Sequence, residues 1–180
     1  MTRIAAAMVA TLALTLPGFV QHGLAQQIPP IDGTTLTGVH VALPSPANTK
    51  PLLIVVAFSH KGGDDAGAWN KRFQPLYAEQ ARVDYVELAD FQGVPSFIMT
   101  MILHGMRRSV QEPERSHLAP FFSQQDAWKK LIGFSSANIA YALLADPAGH
   151  VVWHATGPAT DAKAAEMLAA LARMSGPGHP

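Results

Sequence analysis

The 180-residue chain carries 13 basic and 13 acidic side chains, so its formal net charge is zero. Nucleic-acid-binding domains usually concentrate basic residues on one face, and this balance argues against that class. The chain contains no cysteine. Thiol–disulfide oxidoreductase and cysteine peroxidase activities are therefore excluded, because both require a thiolate. The length favours one domain with its own core.

Residues 1–25 have the pattern of an export signal. Arg3 supplies a positive charge, residues 4–16 form an uncharged apolar run, and Gly23-Leu24-Ala25 places small residues where a signal peptidase reads them. The apolar run is shorter than the roughly 20 residues that a membrane span requires. We predict a periplasmic protein that is not integral to the membrane after signal removal; a retained anchor is the alternative.

Residues 26–35 are polar and contain prolines, which predicts a flexible lead-in, and 175–180 form a loose tail. The domain is therefore expected at 36–174. Its first strand is predicted over 39–43, where apolar residues alternate with polar or small ones. The continuous apolar run at 52–58 predicts a strand covered on both faces, as in the centre of a parallel sheet.

Residues 59–66 are rich in glycine and aspartate and are predicted to form a loop, with Asp64 or Asp65 as the N-cap of a helix over 66–80. Another strand is expected over 83–88.

Pro95 opens a predicted helix that runs to about Arg108 and is apolar nearly all round. Such a helix is usually part of the core. If one face is exposed instead, Met101 and Ile102 would form a patch for a partner or a membrane protein. Arg107 and Arg108 suit the negative end of the helix dipole, and arginine can also pair with a carboxylate or phosphate.

The last third of the domain predicts a short strand at 118–122, a short helix at 127–132, a β-hairpin with its turn at 146–149, and a helix over 161–174. Together the elements predict an α/β three-layer sandwich. Its central mixed sheet would be parallel in its first part, antiparallel at one edge, and covered by helices on both faces.

This order of elements resembles the thioredoxin-like fold. The matching segments are 50–58 for the first core strand, 122–134 for the helix before the hairpin, and the hairpin sequence LADPAGHVVW at 144–153. Redox-active relatives carry a cysteine pair just after the first core strand and a cis-proline before the hairpin. Here Gly62-Gly63-Asp64-Asp65-Ala66 follows the strand, and the proline position falls near Ala140.

Within that fold, the chain resembles the family of the mitochondrial ATP synthase assembly factor (ATPase complex subunit ten) and its cysteine-free bacterial relatives. The residues that prompt this resemblance are Gly33-Thr34-Thr35-Leu36-Thr37-Gly38, Phe58-Ser59 followed by Trp69, Met106-Arg107-Arg108, and Val152-Trp153 with Gly157. The resemblance implies a binding protein that assists assembly of a membrane complex, rather than an enzyme.

The segment 59–65 follows the carboxyl end of the central strand, where ligands tend to bind in open α/β sheets. Ser59, His60, Lys61, Asp64 and Asp65 could form a hydrolytic or metal site. However, if the strand continues, the side chains of Ser59 and His60 point to opposite faces and cannot form a dyad. The Gly-Gly pair could instead bind an anion through free backbone N–H groups.

His150 and His154 are weak metal-ligand candidates, because two histidines without further ligands fall short of the usual number. We expect no cofactor. The sequence favours an exported, redox-inactive binding protein with a protein partner, such as an assembly or folding factor for an envelope complex. The alternatives are a hydrolase or metal- or anion-binding enzyme using 59–65, and a structural subunit without a ligand.

Overall fold

The computed structural model describes residues 26–174, so the predicted export signal and tail lie outside the described residues. Within that range the strands are β1 (Ile31–Thr34), β2 (His40–Leu43), β3 (Leu52–Ala57), β4 (Asp84–Asp90), β5 (Leu118–Phe121), β6 (Tyr141–Ala145) and β7 (Val151–Thr156). The helices are α1 (His60–Gln74), α2 (Ser96–Ser109), α3 (Glu112–Arg115), α4 (Gln125–Leu131) and α5 (Asp161–Met174). A π-helical turn, Pro75–Glu79, continues α1.

The main sheet has the strand order β5-β4-β3-β6-β7. Strands β3, β4 and β5 are parallel, β6 runs antiparallel to β3, and β7 runs antiparallel to β6. The mixed sheet predicted from the sequence is confirmed. Its central strand, β3, is buried along its whole length, which is why that segment is apolar without alternation.

Two cores cover the two faces of the sheet. One lies against α4 and the β1–β2 hairpin and includes Leu88 and Trp128. The other lies against α1 and α5 and includes Trp69, Phe73 and Met167. This arrangement confirms the predicted three-layer α/β sandwich.

Trp69 fixes α1 to the end of the hairpin. Its side chain is fully buried, and its Nε1 donates a hydrogen bond of 2.8 Å to the carbonyl oxygen of Gly157. Gly157 has a φ of +73°, a conformation that glycine adopts without steric cost. This contact holds the middle of α1 against the residue that follows β7.

The flexible lead-in predicted for 26–35 is wrong where β1 forms. Ile28 and Ile31 are buried in the core, and β1 pairs with β2. The backbone N–H of Ile28 donates to Gly149, and that of Val151 donates to Gln26. The two isoleucines supply enough apolar surface to order a segment whose other residues are mostly polar.

The loop predicted for 59–66 is also wrong, because α1 begins at His60. Ser59, rather than Asp64 or Asp65, is the N-cap, and its Oγ accepts a hydrogen bond from the backbone N–H of Gly62. Serine is among the best N-cap residues. The two glycines after it hid the helix start, since glycine disfavours a helix interior.

Among residues 26–174, no helix is both long enough and apolar enough to cross a bilayer.

Candidate binding site

A cavity of about 820 Å³ lies between α1 and α2, above the carboxyl ends of β3 and β4. Ligands bind at this end of many α/β sheets. Residues from the sheet, from the start of α1 and from α2 form its walls: Ala57, Ser59, His60, Gly63, Asp64, Glu87, Ala89, Asp90, Phe91, Val94, Ile102, Gly105, Met106, Ser109, Val110 and Leu118.

The floor of the cavity comes from one face of three adjacent strands. Glu87 lies opposite Leu118 in the register of β4 and β5, and Ala57 lies opposite Ala89 in that of β3 and β4. Alternate residues of a strand share a face, so Glu87 and Ala89 point the same way. The two alanines leave space that a larger side chain would fill.

Glu87 is the one charged side chain that the described structure buries almost completely, at 7 % exposure. None of the lysine, arginine or histidine side chains in the described range forms an ion pair with it. Burial raises the pKa of Glu87 to about 7, and the charge of Glu114 acts in the same direction. An interaction with the Tyr85 hydroxyl offsets only part of this increase in pKa.

Behind Glu87, an aromatic cluster closes the site. The rings of Tyr77 and Tyr85 stack with centroids 4.7 Å apart, and His117 packs edge-on against Tyr77. Burial raises the pKa of Tyr77 to about 12, with contributions from Glu114 and Glu87, and raises that of Tyr85 well above its ordinary value. Both phenols therefore keep their protons at physiological pH and add no negative charge beside Glu87.

The charged groups that line the cavity are mainly acidic. Asp64 and Asp90 add two carboxylates to that of Glu87, and His60 is the only ionisable base in the described lining. Asp90 accepts a hydrogen bond from the backbone N–H of Gln92 and interacts with the side chain of Gln125. The cavity therefore has an acidic character within apolar walls.

The structure does not assemble the predicted hydrolytic site. The Ser59 Oγ donates a hydrogen bond of 2.7 Å to the carbonyl oxygen of Ala137 while it caps α1. The His60 side chain is 97 % exposed, and its Nδ1 lies 3.9 Å from a carboxylate oxygen of Asp64. The hydroxyl is thus occupied by structural hydrogen bonds, and the imidazole lies in solvent.

The predicted anion pocket at Gly62-Gly63 is wrong as well. The N–H of Gly62 donates to the Ser59 side chain and that of Gly63 to the Ser59 carbonyl, so neither is free. A Cβ on Gly62 would lie 2.8 Å from the carbonyl oxygen of Ala137. Glycine is therefore needed there for close packing. Of the remaining candidates, Lys61 is exposed and Asp65 is half-buried on α1.

Helix α2 is not part of the core, and the core interpretation of this helix is wrong. It has no buried residue, and the exposed fractions are 76 % for Phe97, 69 % for Met101 and 36 % for Ile102. The Nε of Arg107 donates a hydrogen bond of 3.1 Å to the carbonyl oxygen of Leu36, while Arg108 is exposed. The alternative prediction of an exposed apolar patch therefore describes α2.

The two candidate metal ligands lie near the hairpin. The Nδ1 of His150 is 3.2 Å from a carboxylate oxygen of Asp146 in the turn, and His154 is exposed on β7. Over the described range, no group of three or more histidine, cysteine or acidic side chains is arranged to hold a metal ion.

Glu87 was missed by the sequence reasoning. A signal was present, because a lone glutamate stands between Val86 and Leu88 in a strand that pairs with β3 on one side and β5 on the other. A charged residue in a strand covered on both faces requires either a partner or a function.

No protein-family model and no curated protein matches the chain. Solved structures do match. A protein from Aquifex aeolicus described as involved in electron transfer has a TM-score of 0.59 and 13 % identity, over 83 % of this chain and 96 % of its own. The exposed lipoprotein thioredoxin of Streptococcus pneumoniae has a TM-score of 0.55 and 10 % identity, over 81 % and 99 %. A protein from Chlorobium tepidum assigned to thiol:disulfide interchange has a TM-score of 0.53 and 18 % identity, over 82 % and 96 %. At these identities the likeness concerns the fold alone, and the fold of this chain is thioredoxin-like.

Proposed function

We propose that the chain is an exported, redox-inactive binding protein on a thioredoxin-like frame, which acts as an assembly or folding factor for an envelope or membrane complex. The observation that carries the proposal is the exposed apolar surface of α2 beside the cavity. Phe97 and Met101 present large side chains to solvent, and Ile102 continues into the cavity wall.

The occupant that this surface fits is an apolar polypeptide segment of the partner. Met side chains adapt to differently shaped partners because they are flexible and polarisable. Exposed apolar patches that adjoin a groove commonly mark interaction sites. The acidic lining of the cavity next to α2 gives the surface a charge preference as well as apolar area.

Loss of redox chemistry fits the same proposal. Ser59 is the N-cap of α1, in the region where redox-active relatives carry their cysteine pair. Ala140 lies directly before β6, where the thioredoxin-like resemblance places a proline. With no cysteine in the chain, the frame retains a binding surface without a thiol.

The proposed location rests on the signal-like pattern of residues 1–25. One structural neighbour, from Streptococcus pneumoniae, is described as an exposed lipoprotein, which agrees with a location outside the cytoplasm. The resemblance to the ATP synthase assembly factor family names one complex on which this function can be tested.

A hydrolytic or metal-dependent function has less support, because Ser59 is occupied by two structural hydrogen bonds and His60 is exposed. A structural subunit without a ligand has less support as well, because a nearly buried acid that lines a cavity without an ion-pair partner is more typical of a functional site.

The test is in-cell crosslinking of a C-terminally tagged full-length chain in its native host, followed by mass spectrometry of the envelope proteins that co-purify. The variant combines Met101→Asp and Ile102→Asp. The matched control is Leu168→Asp, because Leu168 is also an exposed apolar residue on a helix, at 41 % exposure. Circular dichroism and urea unfolding establish that both variants are folded.

The proposal predicts that subunits of one membrane complex are enriched with the native chain and with Leu168→Asp, and are lost with the α2 variant. Equal recovery with all three chains, or no reproducible partner, would contradict it.

A further inference from the structure

Glu87 combines three properties that a structural side chain rarely has together: it is an acid, it is nearly completely buried, and none of the described basic side chains forms an ion pair with it. Burial of a carboxylate without a cation is unfavourable, and such a group tends to hold its proton until a positive charge comes near it. Its floor position in β4 leaves its carboxyl facing the cavity, with the aromatic pair Tyr77 and Tyr85 behind it. The cavity is therefore the side from which a positive charge can reach Glu87 and stabilise its ionised form.

From this geometry we infer that the cavity binds an organic cation, an ammonium or guanidinium group on an apolar stem, with the charged head paired to Glu87. We assign this cation to a lysine or arginine side chain of the partner segment. The inference rests on the proposed function, and it adds the chemical group that the cavity recognises.

The charges around the cavity favour a cation and disfavour an anion. Asp64 and Asp90 lie in the same lining as Glu87, and no lysine or arginine of the described residues is part of it. A carboxylate or phosphate ligand would meet three like charges. A lysine or arginine head can pair with Glu87, and arginine can do so through two hydrogen bonds.

The walls fit the apolar stem of such a side chain. Ile102 and Met106 of α2 and Leu118 of the sheet supply apolar side chains to the cavity wall. Long basic side chains bury their methylene groups along apolar surface while the head reaches a polar partner. A volume of about 820 Å³ lies within the common range for ligand sites, about 300–1,000 Å³, and leaves room for apolar neighbours of the basic residue.

Binding of a cation should depend on pH because it requires an ionised Glu87. The ionisable groups around Glu87 come from β4, the π-helical turn, α1, α3 and the segments that follow them: Tyr85, Asp90, Tyr77, His60, Asp64, Glu114 and His117. Burial and the charge of Glu114 disfavour the ionised form of Glu87, and a bound cation reverses this effect. Affinity should therefore rise from pH 5.5 to about pH 8.

The test is isothermal titration of the full-length chain with three six-carbon probes: hexylammonium, hexan-1-ol and hexanoate. The variant is Glu87→Gln, which keeps the shape and removes the charge. The control is Glu166→Gln, because Glu166 is exposed on α5. We expect hexylammonium to bind the native chain and the control, with at least 10-fold weaker binding to Glu87→Gln, and hexan-1-ol to bind all three chains equally weakly.

A capped tripeptide, acetyl-Leu-Lys-Leu-amide, identifies the source of the cation. Tighter binding of the peptide than of hexylammonium supports a basic side chain of a partner, whereas tighter binding of hexylammonium overturns that assignment in favour of a free amine. Preference for hexanoate, or equal affinity of hexylammonium for the native chain and Glu87→Gln, would overturn the inference itself. These titrations need no partner protein, so a failed crosslinking experiment with successful titrations would reject the proposed function alone.

Discussion

The face of the main sheet that packs against α1 and α5 has two parts. One part is tightly covered by these helices, and the other part forms the floor of the cavity. Helices α1 and α5 cover β3, β6 and β7 with side chains such as Trp69, Phe73 and Met167, which are almost completely buried. Helix α2 lies beside the second part of this face. None of the residues of α2 is buried, and the cavity lies between α2 and the sheet. The closed part holds the fold together, and the open part is available for a ligand.

The two parts differ in the kind of buried polar group that they hold. In the closed part, the buried polar group of Trp69 has its hydrogen-bond acceptor in Gly157. In the open part, Glu87 is buried without a cation. The Nε1 atoms of Trp128 and Trp153 are also buried without an acceptor, so a missing partner alone does not mark a site. Glu87 differs from them because it is ionisable and lines a cavity.

Replacing Trp69 by alanine should have the largest effect on stability. We expect Trp69→Ala to lower the free energy of unfolding by about 3–5 kcal/mol, the usual range for a buried tryptophan. Phe97→Ala, in the exposed part of α2, should change it by less than about 0.5 kcal/mol, as surface substitutions do. Urea unfolding followed by circular dichroism measures both. Similar losses for the two variants would remove the distinction between the regions.

Glu87 should make stability depend on pH. Its pKa in the folded chain, about 7, is above its ordinary value of 4.5, so the folded state holds the proton more tightly. The stability from this group is therefore fully present below pH 4.5, decreases as pH rises to about 7, and is then constant. The total loss should be about 3 kcal/mol, since one pKa unit corresponds to about 1.4 kcal/mol.

Glu87→Gln should lack this decrease, while Glu166→Gln should follow the native chain. Urea unfolding at pH 4.5, 6, 7 and 8.5 gives the comparison. Parallel curves for the native chain and Glu87→Gln would show that the carboxyl is hydrated rather than buried.

Ser59→Ala should cost about 1 kcal/mol of stability, the typical effect of losing an N-cap. The reason is that its Oγ caps α1 and also bonds Ala137. Ser59→Thr should retain most of that stability, because threonine can also cap a helix. Crosslinking to the partner should be unchanged in both folded variants. A complete loss of function in Ser59→Ala, without unfolding, would favour the hydrolytic alternative.

Met101→Asp should have the smallest effect on stability, less than about 0.5 kcal/mol, because the side chain is largely exposed. It should nevertheless lower recovery of the crosslinked partner several-fold. Urea unfolding and quantitative mass spectrometry report the two quantities separately. A large loss of stability would place Met101 in the core, against the contrast drawn between the two parts of the molecule.

The fold could be predicted because its strands have a strong pattern. The continuous apolar segment of β3 and the turn between β6 and β7 define the centre and the antiparallel edge of the sheet. The helix over 161–174 was predicted with the observed bounds. Thr160, directly before this helix, accepts at its Oγ a hydrogen bond from the backbone N–H of Lys163.

The site was harder to predict because exposure depends on tertiary packing. The apolar composition of α2 fits a buried helix as well as a binding surface, and only the fold shows which residues remain uncovered. The start of α1 was hidden by Gly62, which is required by contact with the distant Ala137. Glu87 could have been identified from its apolar neighbours in the strand, but its lack of a cation depends on residues distant in sequence.

The most direct test of a partner surface on α2 is a photo-crosslinking amino acid placed at Met101 or, as the control, at Leu168, in the full-length chain in its native host. We predict a discrete crosslinked envelope protein from position 101 but not from 168, with a crosslinked peptide that carries a lysine or arginine next to apolar residues. The same products from both positions, or none from position 101 in a folded chain, would contradict the proposal that α2 and its cavity form the binding surface.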